Sequence, residues 1–107
     1  MTTFNDREKA FENMFAHDEE MQFKAAARRN KLLGLWAASL LGKTGSDADA
    51  YAMEVVRADF QESGHEDVFR KLNGDLDYRA DEATIRAKML ELLAVAKGQV
   101  ATEVKES

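Results

Sequence analysis

The absence of proline most limits what this chain can fold into, because helices then end only at glycine or polar breaks. No proline occurs in 107 residues. Apolar residues recur three and four positions apart over most of the length, which is the spacing of one helix face. β-Branched residues are scattered, and no segment sustains the two-residue alternation of a half-buried strand. We therefore predict an all-α protein.

Glycine-containing breaks divide the chain into four predicted helices. Gly42 to Gly45 forms one short connection, and Ser63-Gly64 forms the next. Ser46 and Asp81 are predicted to cap the second and fourth helices. The helices are predicted at residues 18–41, 47–62, 65–76 and 82–104, before a polar tail at 105–107. Short connections favour antiparallel neighbours, so we predict an antiparallel four-helix bundle.

Each predicted helix carries an apolar stripe for a buried side. Arg29 lies on the same side as the first stripe, although Arg28, Arg29 and Lys31 together suggest a solvated basic cluster. The four stripes are Ala25, Leu32, Leu33, Trp36 and Leu40; Ala48, Tyr51, Ala52 and Val55; Val68, Phe69, Leu72 and Leu76; and Ile85, Met89, Leu92, Leu93, Ala96 and Val100.

The second predicted helix has a second apolar stripe on another side. A helix that is apolar on two sides either packs centrally or leaves one side for a partner. We keep both interpretations and name the stripe as a possible second contact surface. Its residues are Met53, Val56 and Phe60.

The N-terminal residues form a separate amphipathic unit. Its apolar side, if helical, carries Phe4, Phe11, Met14 and Phe15. Asp18 and Gln22 interrupt this stripe in phase. One helix over residues 4–41 would span about 57 Å, whereas the other helices reach only about 18 to 35 Å. Fifteen residues form a marginal helix in water. We predict that residues 1–17 are an arm that is mobile when free and helical when bound.

Composition excludes several classes of function. The net charge of -5 disfavours nonspecific binding to nucleic acid. The chain has no cysteine for a disulfide or a thiolate metal site. Residues 1–6 lack the features of a signal peptide. The longest apolar run, Leu32 to Leu41, is about half the length of a membrane span. We expect a soluble protein without membrane insertion.

No catalytic or cofactor site is evident. Gly42-Lys43-Thr44 lacks the glycine that a phosphate-binding loop needs five positions earlier, where Ala37 stands, and it closes a helix. His17 precedes three acidic residues, but two ligands on one face do not complete a metal site. His65 opens the third helix as a packed or capping residue, with no group to orient it as a base. We predict no enzyme, no metal and no cofactor.

Three segments resemble the zeta subunit of α-proteobacterial ATP synthases, a family of small ATPase inhibitors. They are Phe23 to Ala38 (FKAAARRNKLLGLWAA), Glu66 to Lys71 (EDVFRK), and the start, with Thr2-Thr3-Phe4, Asp6-Arg7-Glu8 and Ala10. The resemblance implies a cytoplasmic bundle, monomeric when free, that associates with the membrane only through the synthase. It also implies an arm that enters an interface between the alpha and beta subunits near gamma and blocks rotation in the hydrolysis direction.

Partner contacts are predicted for residues of the arm. The family pattern is matched by Phe4, Arg7, Glu8, Ala10 and Phe15, and the apolar stripe adds Phe11 and Met14. Some positions depart from the family pattern. Ser63 replaces a usual proline, His65 a common acidic residue, and Ala26 a common glutamate. Phe11 occupies a position that is polar in some relatives. Two alternatives remain open, a non-inhibitory adaptor of the same family and a helical bundle that responds to a nucleotide or another ligand.

Overall fold

The computed structural model describes residues 19–59 and 66–106, and all regular structure in these ranges is helical. The predicted all-α class is therefore confirmed. A short 3-10 turn, Asp77–Arg79, joins the last two helices. The helices are α1 (Glu19–Leu40), α2 (Gly45–Ala58), α3 (Glu66–Leu76) and α4 (Glu82–Glu106). Residues 1–18 and 60–65, and with them the predicted arm, Phe60 and both histidines, lie outside the described residues.

Capping interactions set several helix ends. Gly42 ends α1 with a positive φ of 76°, and the Lys43 N–H donates to the Ala38 carbonyl at 2.9 Å. This confirms the predicted glycine cap. The carboxylate of Asp81 accepts a hydrogen bond from the Thr84 N–H at 2.8 Å, so the predicted cap of the last helix is also confirmed.

Three predicted boundaries were wrong. The N-cap of α2 is Thr44, because its carbonyl already accepts the N–H of Ala48 and closes a first helical turn ahead of Ser46. At its other end α2 stops at Ala58, before the predicted end at residue 62. Helix α4 continues to Glu106, so most of the predicted tail is helical.

Helix α1 lies between α2 and α4, and α3 packs against all three. Helices α1 and α4 are antiparallel, because Arg28, near the start of α1, hydrogen-bonds Gln99 and Glu103 near the end of α4. The short helix α3 contacts α4 near the start of both helices, where Arg86 hydrogen-bonds Glu66. The predicted four-helix bundle is confirmed for the described residues.

The backbones of α1 and α2 approach closely where they cross. A Cβ atom on Gly34 would lie 2.5 Å from the Cα of Ala52. This separation is far below van der Waals contact, so only glycine fits here without moving a helix. The two small residues thus hold α2 at its position on α1.

Most predicted core positions are buried, and α3 is the clearest case, with Val68, Phe69, Leu72 and Leu76 all in the core. In α1 Leu33 is fully buried, but Leu40 is 39% exposed. Leu40 is the last residue of the helix, where less of the bundle covers it. The predicted burial of Leu40 was therefore wrong. In α4 Leu92 and Leu93 are half-buried.

Candidate partner-binding surfaces

The first candidate surface is the arm, and the structure bears on it only through the helix that follows. The predicted contact residues precede Glu19 and lie outside the described residues; they are Phe4, Arg7, Glu8, Ala10, Phe11, Met14 and Phe15. What the structure describes is the support to which the arm connects, namely the first turns of α1.

A small apolar cluster fixes the start of α1 to the end of α4. Met21 and Ala25 of α1 pack against Val100 and Ala101 of α4, and all four side chains are buried. This cluster is separate from the main core, to which all four helices contribute. The chain therefore leaves the arm and enters a packed helix within its first turn.

Arg28 adds a polar clamp to the same pair of helices. Its Nη1 donates to Gln99 Oε1 at 3.1 Å, and its Nη2 lies 2.7 Å from Glu103 Oε1. The side chains of Arg28 and Glu103 are 31% and 56% exposed. An ion pair this exposed contributes about 1 kcal/mol or less. Its main effect is on geometry, because the planar guanidinium holds two positions of α4 at a fixed distance from α1.

The second candidate surface, on α2, is partly exposed. Met53 is 45% exposed and Val56 is half-buried, whereas Phe60 lies outside the described residues. The buried side of the same helix carries Tyr51 and Val55. The sequence therefore separated the two stripes correctly for the described residues. Whether the exposed stripe contacts a partner stays a prediction.

The basic cluster does not form one solvated side. Arg29 is only 2% exposed, and its Nε and Nη2 donate to Asn30 Oδ1 at 3.0 and 2.7 Å. Burial lowers the pKa of Arg29, and the Asp59 carboxylate opposes this shift. The interpretation of Arg29 as solvated was wrong, although its phase with the apolar stripe had already indicated burial.

A polar network that the sequence did not reveal joins α2 to α3. The Tyr51 hydroxyl donates to Asp75 Oδ2 at 2.8 Å, and Lys71 Nζ donates to the same oxygen at 3.0 Å and to Glu54 at 3.2 Å. Burial and the hydrogen bond to Asp75 raise the pKa of Tyr51. Burial opposes protonation of Lys71, but the hydrogen bonds to Asp75 and Glu54 outweigh it and raise that pKa. The only sequence signal was the i, i+4 spacing of Lys71 and Asp75.

Comparison with known proteins identifies the family. The family model for ATPase inhibitor subunit zeta matches residues 1–99, which includes the arm and most of the bundle. The chain belongs to this family. A structure solved by NMR in solution is 64% identical in sequence, with a TM-score of 0.72, and the match covers 78% of this chain and 98% of that one. No curated protein matched significantly.

Membership of the zeta family indicates a regulatory protein associated with ATP synthase rather than a catalyst. The Gly42-Lys43-Thr44 segment fits this assignment, since it lies in the turn that follows α1 and not between a strand and a helix. Among the described residues, none of the helices combines the length and hydrophobicity that a membrane span requires.

A shallow groove lies between α1 and α4. Its lining includes Val95, Gly98 and Thr102 beside Arg28. In the described part of the chain, Arg28 is the one positively charged side chain that lines the groove, and it forms an ion pair with Glu103, which also lines it. The groove therefore presents no unpaired positive charge to a phosphate.

Proposed function

We propose that this zeta-family chain inhibits ATP hydrolysis by the catalytic head of ATP synthase through its N-terminal arm. The arm inserts as a helix at an interface between the alpha and beta subunits near gamma, and it blocks rotation in the hydrolysis direction. The observation that carries the proposal is the family match, which begins at residue 1 and so includes the arm.

The arm has the side chains that a helix-in-groove contact requires. Phe4, Phe11, Met14 and Phe15 fall on one side at helical spacing, and aromatic anchors of this kind dominate the energy of many interfaces. Arg7 lies within the same stripe, so its guanidinium needs an acidic partner in the complex.

The packing of the start of α1 against α4 supports a bundle that is too bulky to follow the arm into the interface. Because Met21 and Ala25 are buried against α4, α1 cannot follow the arm into a narrow interface without separating from α4. Separation exposes that apolar cluster and breaks the Arg28 clamp. The bundle therefore stays outside while the arm enters.

An ATP hydrolysis assay on the cognate catalytic head tests this function. The full chain is compared with a chain that lacks residues 1–15, and circular dichroism checks that the shortened chain keeps its helices. We expect inhibition by the full chain and none by the shortened chain. Inhibition that survives the deletion would overturn the arm mechanism, and no inhibition by either chain would favour an adaptor role.

The direction of the block is tested separately, in vesicles that contain the whole synthase. We expect the full chain to slow hydrolysis and to leave proton-driven synthesis largely unchanged. Equal inhibition of both directions would contradict a block that depends on the direction of rotation.

The stripe of Met53, Val56 and Phe60 is proposed as a second contact on the same partner. Met53 is its most exposed described member, so Met53→Glu introduces a charge at low cost to folding. We expect weaker binding to the catalytic head with unchanged helix content. Unchanged binding would remove this surface from the proposal.

A further inference from the structure

One side of α1 is only partly covered by the other helices. α2 and α4 flank α1, and α3 packs across the bundle on the side of the fully buried Leu33. On the opposite side, at 100° per residue, lie the residues that we call the outer stripe. It consists of Lys24, Arg28, Lys31 and Leu35, at positions i, i+4, i+7 and i+11. The two lysines are exposed, and Arg28 and Leu35 are half-buried.

The outer stripe is cationic in a chain whose net charge is -5. Lys31 has no hydrogen bond or ion pair with any residue that the structure describes. Lys24 lies 3.4 Å from Glu20, but these side chains are 56% and 76% exposed, and such a pair is weak. With Glu20 and Glu103 counted, the stripe still carries a net positive charge.

Three cations on other faces of the bundle lie close to carboxylates. Lys71 lies between two carboxylates, at 3.0 and 3.2 Å. Arg86 likewise pairs with Glu66 and Glu82. Lys88 lies 2.7 Å from Glu91. The outer stripe differs in placing three cations along one side of a single helix.

The position of the stripe relates it to the arm. Lys24 lies on the helix that begins at Glu19, directly after the arm, and the contact with α4 holds this part of α1 in place. A protein that binds the arm must face the start of α1. Lys24, at the start of the outer stripe, is therefore near the partner surface beside the arm site.

We propose that the outer stripe docks on an acidic surface of the protein that binds the arm, next to the arm site. This inference rests on the proposed function and adds a second, electrostatic contact to it. Exposed charges at the edge of an interface act mainly on the rate of association and its salt dependence. The outer stripe thus guides the bundle to the correct side of the partner, and the arm blocks rotation.

The test compares two double variants that make the same change in net charge. The stripe variant is Lys24→Gln with Lys31→Gln. The control is Lys43→Gln with Arg79→Gln, two exposed residues after the end of α1 and before the start of α4. The control pair therefore lies at the end of the bundle opposite to Glu19. Association of each full-length chain with the isolated catalytic head is followed at about 0.02 M and about 0.3 M salt.

We expect the stripe variant to associate about fivefold more slowly than the unmodified chain at low salt, and at nearly the same rate at high salt. The control should change the rate much less. Equal slowing by both variants would attribute the effect to net charge and overturn the inference, as would a stripe variant with unchanged kinetics. If the unmodified chain does not bind the catalytic head, the proposed function is wrong, and the proposed partner of the outer stripe is wrong as well.

Discussion

The Cα of Ala52 lies 2.5 Å from the point where a Cβ on Gly34 would stand. The two helices thus cross where neither carries a large side chain. Gly34 is in the middle of α1, where glycine is a poor choice by helix propensity. Its place in the fold is explained by the crossing.

Gly34→Ala should destabilise the protein by about 1 to 3 kcal/mol, because α2 must move away from α1 to admit the methyl group. Urea unfolding monitored by circular dichroism measures the loss. Gly98→Ala is the matched control. A Cβ at Gly98 meets nothing within 4 Å, so alanine there should stabilise α4 by about 0.5 to 1 kcal/mol. Two substitutions with effects of the same sign would contradict the close crossing.

Arg29→Met should cost roughly 2 to 4 kcal/mol, since it removes a buried guanidinium and leaves Asn30 Oδ1 without its two donors. Arg28→Met is the comparison on the surface, where loss of a half-exposed ion pair should cost about 1 kcal/mol or less. Denaturant unfolding of both variants checks the ranking. Similar losses would show that Arg29 is not held as the structure indicates.

Asp81→Ala should lower the melting temperature by a few degrees, because the Thr84 N–H loses its cap. Hydrogen bonds from the Thr84 side chain and backbone lower the pKa of Asp81. A carboxyl whose folded pKa lies below its unfolded pKa contributes stability that is complete above the unfolded value. The contribution is lost as the pH falls through the lower, folded value. We expect Asp81→Asn, which keeps a capping oxygen, to lose less stability than the unmodified protein below about pH 4.

Tyr51→Phe should reduce the loss of stability at alkaline pH. Burial and the Asp75 hydrogen bond raise the pKa of Tyr51, so the folded protein favours the neutral phenol. This contribution is complete below the unfolded pKa, about 10, and is lost as the pH rises toward the higher folded value. At neutral pH the variant should lose about 1 kcal/mol with the hydrogen bond. Unfolding of the variant and of the unmodified protein is measured at pH 7 and above pH 10. A stability difference between the two proteins that is the same at both pH values would contradict the expected effect of alkaline pH.

The sequence predicted the fold well because helical periodicity reports directly on burial. The four core residues of α3 were identified by their spacing alone, and all are buried. The stripe of α2 with Tyr51 and Val55 was distinguished from the stripe with Met53 in the same way. Leu40 was misplaced because periodicity does not indicate where neighbouring helices stop.

Interactions between distant segments could not be predicted from the sequence. The partners of Arg28 are Gln99 and Glu103, more than seventy positions along the chain. The arm contacts remain predictions, because their residues precede the described part of the chain.

The contact between the first turns of α1 and the last turns of α4 also means that distant parts of the chain depend on each other mechanically. A pull on the arm is carried through Met21 and Ala25 to Val100 and Ala101. Removal of α4 after Lys97 would take away both the cluster and the clamp, and the arm would then be attached to a helix free to bend. The attachment of the proposed inhibitory arm thus depends on residues near the opposite end of the sequence.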